Sequence, residues 1–348
     1  PAVACFFGVS MLALRIDSLD PCFNLALEET LFNALEPGRP GWFLIWRNGP
    51  SIIVGRHQNT LEEINEDFVR AAGLSVVRRP TGGGAVYHDE GNINFSFLTV
   101  VDKNRPPSFA DFLSPIVGAL ADLGVTARFS SRNDITVEGR KISGSAQRRS
   151  GSRMLHHGTM MVDLDAGILG KALTGNPDKY RSKGVASHKS RVANLREFLP
   201  PDWSRDTCMT RVIDAMARRC ATGETALPPR LKAEAEALAD AKYRSWDWNY
   251  GKSPEFTERR RRRFPWGALE CRLNVKNGVI TRCSLYGDFF TLGDIADLEK
   301  QFEGVPRTPE ALTSALAHVP VEQWFVGGER GPLLDFLCRG DDDERDSA

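Results

Sequence analysis

The sequence predicts an α/β (α+β) protein built on a mixed sheet, followed by a small α+β domain at its C-terminal end. Three observations carry that expectation. Segments that alternate with period two are interleaved with segments of helical period, and they lack the regular strand–helix–strand spacing of an all-parallel sheet. The chain has 348 residues and 41% hydrophobic content, enough to bury one large core and a second, smaller one. An arginine run at 259–263 interrupts the pattern, and alternation resumes beyond it. The expected organisation is a large domain over residues 11–250 and a small one over 259–338. Residues 1–10 read as a non-native extension ahead of Met11, and 339–348, with Asp341, Asp342, Asp343 and Glu344, as a disordered acidic tail.

Asp20 caps and Pro21 opens a first helix, in which Phe23, Leu27, Leu31 and Leu35 recur every four residues. Short strands are expected at 42–46 and 51–54, then one helix with Leu61, Ile64, Phe68 and Ala71 on a single face. Residues 92–99 alternate, presenting Ile93, Phe95 and Phe97 to a core, and a helix over 109–123 follows. Ile135 and Val137 then alternate into a turn at Glu138-Gly139, and the return strand of this hairpin carries Lys141. His156-His157-Gly158-Thr159-Met160-Met161-Val162-Asp163 supplies another strand. Residues 175–194 show little apolar periodicity and read as a long functional or disordered loop. Helices are expected at 205–220 and 229–244, and the arginine run reads as a charged linker. Beyond it Leu269, Cys271, Leu273 and Val275 alternate into Asn277-Gly278, a strong hairpin signal, and the return strand holds Thr281, Cys283 and Leu285. Helices bearing Leu292, Ile295, Leu298 and Phe302, then Leu312 and Leu316, complete the chain.

Bulk properties exclude several functions. Forty-five basic and forty-five acidic residues cancel, which disfavours nucleic-acid binding by overall charge. No apolar run reaches the roughly 18 residues of a membrane helix. Residues 1–10 lack the basic start of a secretory signal. The seven cysteines show no metal-binding spacing and fit reduced thiols in a cytoplasmic compartment.

The segment Arg78-Arg79-Pro80-Thr81-Gly82-Gly83-Gly84-Ala85-Val86-Tyr87-His88-Asp89 has the densest chemical signal. Each glycine costs about 0.5–1 kcal/mol relative to alanine inside regular structure, a cost tolerated where backbone must approach or swing over a ligand. With a basic pair before it and alternation after it, the run reads as a mobile loop feeding a strand, with amides and cations converging on an anion. A glycine-rich surface turn is the competing reading, and Arg78 reads equally well as a solvated charge. Asn133-Asp134 is either part of a site or a turn signal. Lys141, close to Gly144, is either a cation for that anion or a solvated edge lysine. His157 suits a pocket or a core equally, and His156-His157 is no metal pair, because neighbours on a strand point to opposite faces. Gly251-Lys252-Ser253 imitates the end of a phosphate-binding loop, but Trp246 stands where its first glycine is required.

These segments occur in order with Asp20-Pro21-Cys22-Phe23-Asn24-Leu25-Ala26-Leu27-Glu28-Glu29, Trp46-Arg47-Asn48, Val54-Gly55-Arg56-His57-Gln58-Asn59, Lys183-Gly184-Val185-Ala186-Ser187 and Ser190-Arg191-Val192-Ala193-Asn194-Leu195. Together they resemble the lipoate–protein ligase A family, over about residues 12–323. The resemblance implies the biotin/lipoate ligase catalytic fold, related to class II aminoacyl-tRNA synthetases, with a C-terminal accessory domain. It also implies activation of lipoate or octanoate by ATP with Mg²⁺, release of pyrophosphate, and transfer of the acyl group to a lysine. The implied acceptors are lipoyl domains of 2-oxoacid dehydrogenase complexes and the glycine-cleavage H protein.

In that family's terms Lys141 is the central catalytic lysine. Arg79, Gly84, Ala85, Val86, Tyr87, Asn133, Asp134, Lys141, Lys183 and Arg191 would serve ATP and the adenylate. Trp46, Thr81, Gly82, Gly83, His88, Lys141, Gly144, Ala146 and His157 would serve lipoate. Mg²⁺ would arrive on ATP, with Asp134 a candidate ligand. An acyltransferase of the same fold, drawing on a preactivated or protein-bound donor, is the alternative. Carrier-protein octanoyltransferases use a cysteine nucleophile, and no cysteine lies between Cys22 and Cys208 here.

Overall fold

Asp20 accepts a hydrogen bond from the Cys22 amide and Pro21 takes the first helical position, so the Pro21–Asn33 helix begins where the sequence places it. The computed structural model describes residues 5–6, 9–102, 104, 106–130, 133–173, 192–250, 257–317 and 319–339. Residues 175–191 of the expected 175–194 loop and 340–348 of the expected 339–348 tail lie outside them. The chain divides into two units. One comprises Pro1–Val54, Leu61–Arg79 and Ala85–Asn249, and the other Gly55–Thr60, Pro80–Gly84 and Tyr250–Ala348.

The first unit contains β1 (Cys5–Phe6), β2 (Val9–Arg15), β3 (Gly41–Trp46), β4 (Ser51–Val54), β5 (Ser75–Arg78), β6 (Val86–His88), β7 (Asn92–Val100), β8 (Ala127–Ser130), β9 (Asp134–Val137), β10 (Arg140–Ser150), β11 (Arg153–Met161) and β12 (Gly223–Glu224). Its large sheet runs β1-β2-β3-β7-β11-β10-β9-β8, with β12 on β2, and a small sheet runs β5-β4-β6. The β2/β3, β12/β2 and β4/β5 pairs are parallel among otherwise antiparallel neighbours, which makes both sheets mixed.

Strand β7 decides how the large sheet is used. All of Asn92–Thr99 is buried, so both faces are covered. Ile93, Phe95 and Phe97 point into a core with Phe43, Ile45, Met154 and Met160, closed by apolar residues of the Phe109–Ala121 and Arg205–Cys220 helices. The opposite side of the same strand reads Asn92, Asn94, Ser96, Leu98. Leu98 joins Leu44, Leu155 and the Pro21–Asn33 helix in a second core. Asn92, Asn94 and Ser96 extend that face as a buried polar stripe, and buried polar groups need partners. That stripe marks the candidate site.

The structure differs from the sequence reading in several places. The single helix expected around Leu61–Ala71 is two, Thr60–Glu63 and Glu66–Ala71, because Asn65 caps the second through the Phe68 amide and Ile64 bridges to Leu173. The 229–244 helix ends at Leu238 and continues as a wider π-type turn over Ala239–Tyr243. Arg78 is no solvated charge. It is buried, with Nε donating to the Trp248 carbonyl at 2.9 Å, while Trp248 Nε1 donates to the Arg78 carbonyl at 2.8 Å.

In the second unit the arginine run is a strand rather than a linker. β13 (Glu258–Phe264), β14 (Gly267–Lys276) and β15 (Val279–Gly287) form an antiparallel sheet. Alternation gives each arginine of β13 one of two sides. Arg259 pairs with Glu270 at 2.8 Å, while Arg262 pairs with Asp335 at 2.9 Å. Charge density hid the strand because long arginine stems cover apolar surface while their heads find acids.

The Gly55–Thr60 and Pro80–Gly84 segments belong to this unit. Thr81, Gly82 and Gly83 are buried, which overturns the surface-turn reading. A Cβ on Gly82 would come within 2.2 Å of the Phe289 carbonyl oxygen, and one on Gly55 within 1.9 Å of that of Gly83, whose φ is +92°. The glycines are therefore required by close backbone packing. Gly82→Ala is expected to destabilise by about 1–3 kcal/mol through overpacking. A thermal melt indistinguishable from wild type would contradict this.

Candidate active site

The site face of the large sheet is assembled by register. Across β3, β7, β11 and β10, Trp46 lies opposite Asn94, Asn94 opposite Thr159, Ser96 opposite His157, and His157 opposite Ala146. Successive strand residues alternate sides, so His156 and His157 part company. His156 turns into the apolar core, where it stacks on Phe112 with centroids 4.8 Å apart, and burial holds it well below the usual histidine range. His157 turns to the site.

There it meets Glu28, whose carboxylate is fully buried. His157 Nδ1 lies 2.9 Å from both Glu28 oxygens, Ser96 Oγ donates to Glu28 Oε1 at 2.6 Å, and Trp46 Nε1 donates to Ser96 Oγ at 3.0 Å. A buried carboxylate is tolerable only with such partners. Neighbouring Glu29 is held by a separate set: Lys242 Nζ at 2.6 Å, Tyr243 Oη at 2.7 Å and Arg148 at 3.3 Å. Burial alone would raise its pKa, but these three outweigh it and hold the carboxyl below its ordinary value.

Lys141 reaches the same face by an irregularity. Pairing of β9 with β10 runs Thr136 to Lys141, then Ile135 to Ser143, so Ile142 is an extra residue. This bulge sends Ile142 into the apolar core and leaves Lys141 on the side of Asp134 and Gly144. Without it, strict alternation would put Lys141 and Gly144 on opposite faces. The ammonium sits 2.7 Å from Asp134 Oδ1, with both side chains partly exposed. A pair of that kind is worth at most about 1 kcal/mol, so an anion of higher charge can compete for the ammonium. A Cβ on Gly144 would lie 2.8 Å from Nζ, so the glycine leaves room for it. The Lys141 carbonyl accepts from the Ala193 amide at 2.9 Å, tying this strand to the chain beyond residue 191. Asn133 Nδ2 donates to the Ser145 carbonyl, which extends the β9/β10 ladder past Asp134.

Arg79 follows β5 of the small sheet, and His88 ends β6. Arg79 is buried, donates to the Ile53 carbonyl at 3.1 Å, and is lowered to about 10 by burial, with Glu28 opposing and Arg78 adding to the effect. His88 is buried and pushed to about 3 by desolvation, then by Arg79 and His157, so the ring is neutral. Tyr87 is raised to about 12, first by burial and then by Asp89. Val86 and Tyr87 pair with Ile53 and Ile52 of β4. Lys183 and Arg191 lie outside the described residues, and Thr81 to Gly84 fall in the second unit. The sequence reading missed Glu28, Asn94, Ser96 and Thr159. The polar members of an otherwise apolar alternating strand at 92–98 were the available signal.

Residues 20–217 match the family described as Lipoyl protein ligase A/B catalytic domain, and residues 253–337 match Bacterial lipoate protein ligase C-terminus. The chain belongs to the lipoate–protein ligase family. It is accordingly an enzyme of that class. Lipoate–protein ligase 1 of Staphylococcus aureus is 40% identical over 91% of this chain and 97% of its own length. Among solved structures, P. falciparum LipL1 in complex with lipoate superposes with a TM-score of 0.75 at 28% identity, covering 94% of this chain and 98% of that one. A lipoate–protein ligase A bound with ATP gives 0.59 at 27% identity, covering 70% and 98%. A bi-partite ligase from Thermoplasma acidophilum, studied with its E2 lipoyl domain, gives 0.61 at 27% identity, covering 72% and 100%. The large mixed sheet is therefore the fold of lipoate ligases. Among the described residues no helix is long and apolar enough to cross a membrane.

Proposed function

We propose that the chain joins lipoate, or octanoate, to a protein lysine in two steps through an acyl-adenylate. A carboxylate oxygen of the acid attacks the α-phosphorus of ATP, the bond to the β-phosphate breaks, and pyrophosphate leaves. The neutral amine of the acceptor lysine then attacks the acyl carbon, an amide bond forms, and AMP departs as the amine sheds its proton. The difficulty of the first step is electrostatic. Two unit charges at 4 Å repel by about 4 kcal/mol at an effective dielectric near 20. A fixed cation at the reacting atoms offsets that repulsion.

The observation that carries this reading is the bulge that places Lys141 beside Gly144 on the buried polar face, in a weak pair with Asp134. We assign Lys141 to the reacting carboxylate and α-phosphate. Arg79 and the backbone of 84–87 are assigned to the phosphates, together with Asn133, Asp134, Lys183 and Arg191. Trp46, His88, Gly144, Ala146 and His157, with Thr81 to Gly83, are assigned to the acyl acid. Mg²⁺ would come with the triphosphate, where it neutralises phosphate charge. The described residues contain no group of three or more His, Cys, Asp or Glu that would hold a metal on its own. The large domain over 11–250 would perform both steps, and 259–338 would be accessory. The acceptors we assign are lipoyl domains of 2-oxoacid dehydrogenase complexes and the glycine-cleavage H protein. Free thiols at the described cysteines suit a reducing, cytoplasmic setting. Pyrophosphate release that requires both lipoate and ATP, with label reaching a lipoyl domain afterwards, tests the whole proposal. Activity that ignores ATP would refute it.

A thioester route is disfavoured by thiol chemistry. Burial first, then Asp20, pushes Cys22 up to about 11, and its Sγ donates to the Tyr243 carbonyl. Cys208 is fully buried and likewise raised, mainly by desolvation. Protonated thiols are poor nucleophiles. Cys22→Ser and Cys208→Ser, singly and together, are expected to leave ATP-dependent lipoylation within several-fold of wild type. Loss of nearly all activity, with label trapped on cysteine, would point to the transferase instead.

A further inference from the structure

Asn48, fully buried just after β3, lies between Asn24 and His88. Asn24 Nδ2 donates to Asn48 Oδ1 at 3.0 Å and also lies 2.8 Å from the Ser18 carbonyl and 2.9 Å from that of Arg47. The two carbonyls can only accept, which fixes the Asn24 nitrogen on that side with its two hydrogens shared among three oxygens. Asn48 turns its oxygen toward it, because two amide NH2 groups face to face would repel, and its nitrogen to the other side. Asn48 Nδ2 faces His88 Nδ1 at 3.2 Å. An amide nitrogen only donates, so Nδ1 accepts and the proton of the neutral ring resides on Nε2. Protonating Nδ1 as well would set two donors against each other. Nε2 is buried and has no hydrogen-bond partner among the described residues. Buried donors without an acceptor are rare, because the water they gave up is not replaced.

We propose that Asn24 and Asn48 are positioning residues that lock His88 as a neutral Nε2–H donor, and that this donor receives an anionic oxygen of a substrate. The oxygen belongs to the carboxylate of the acyl acid or to a phosphate of the nucleotide, so the inference rests on the ligase reading. Among the described residues, the ionisable groups acting on the ring are Arg79, just past β5, and His157 of β11, itself paired with Glu28. A desolvated arginine beside a neutral donor favours an anion. A histidine free to change tautomer could instead turn a lone pair on that anion, and the relay removes that option.

Asn48→Asp tests the relay. The new carboxylate still accepts from Asn24 but now also accepts from Nδ1, so the neutral ring carries its proton there and presents a lone pair at Nε2. At lower pH the ring of the variant becomes an imidazolium and donates from both nitrogens. The KM of the substrate whose oxygen is bound should therefore rise on the order of 10- to 100-fold on the alkaline side and recover as pH falls. The wild-type KM should stay flat over the same range. Whichever KM moves, that of the acid or that of ATP, identifies the oxygen. Nitrogen-15 NMR of histidine-labelled enzyme should show an unprotonated His88 Nδ1 in the wild type and a protonated one in the variant. If Asn48→Asp does not fold, His88→Gln, whose amide N–H reaches the Nε2 position, should hold KM within several-fold while His88→Leu does not. A protonated Nδ1 in the wild type, a pH-flat KM in Asn48→Asp, or equal KM values for the Gln and Leu variants would overturn the relay. A wild-type enzyme that makes no acyl-adenylate would overturn the ligase reading instead.

Discussion

Lys141→Ala is expected to lose roughly 10²–10³ in the rate of pyrophosphate release, the scale on which single preorganised electrostatic contacts act. The fold should survive. The ammonium is partly exposed, and its ion pair with Asp134, the one it makes among the described residues, contributes little to stability. Ile142, not Lys141, is the residue of the bulge that enters the core. The loss should appear in kcat as well as kcat/KM, because the charge is required most where carboxylate and phosphate meet. Stopped assays with labelled pyrophosphate, alongside a melting curve, decide it. A variant that melts like wild type yet activates lipoate at a comparable rate would remove Lys141 from the chemistry.

Glu29→Ala is expected to lower stability measurably. It leaves Lys242, Arg148 and the buried Tyr243 hydroxyl without their common acceptor. The cost is set at about 1–3 kcal/mol, mostly by the buried Tyr243 hydroxyl left without its acceptor, because Lys242 and Arg148 are partly exposed and can regain water. The dependence on pH follows from the lowered pKa of this carboxyl. Its contribution is complete above the unfolded carboxylate value, about 4.3, and fades as pH falls through the lower folded value. The gap between wild type and variant in urea unfolding should therefore be widest near neutrality and shrink below about pH 4. A gap under about 1 kcal/mol at pH 7 would mean that the cluster contributes little beyond packing.

Lys141 and Glu29 separate what could be read from what could not. Local chemistry was legible. The 138–139 and 277–278 turns require positive φ at both positions, and Glu138 at +52° with Gly139 at +76°, and Asn277 at +50° with Gly278 at +75°, adopt it. Capping by Asp20 and the apolar spacing of the first helix were equally plain, because a helix end is written in a few adjacent residues. The order of motifs also determined the family. What the tertiary structure decided were pairings between distant parts of the chain. Whether Glu28 or Glu29 faces the site depends on β7 and β11 on one side and on residues 242–243 on the other. The arginine run became β13 because Glu270 and Asp335 receive its charges, which no window around 259–263 contains. The side on which Lys141 emerges depends on one extra residue opposite β9, and a strand's own alternation cannot reveal a bulge that exists only relative to its partner.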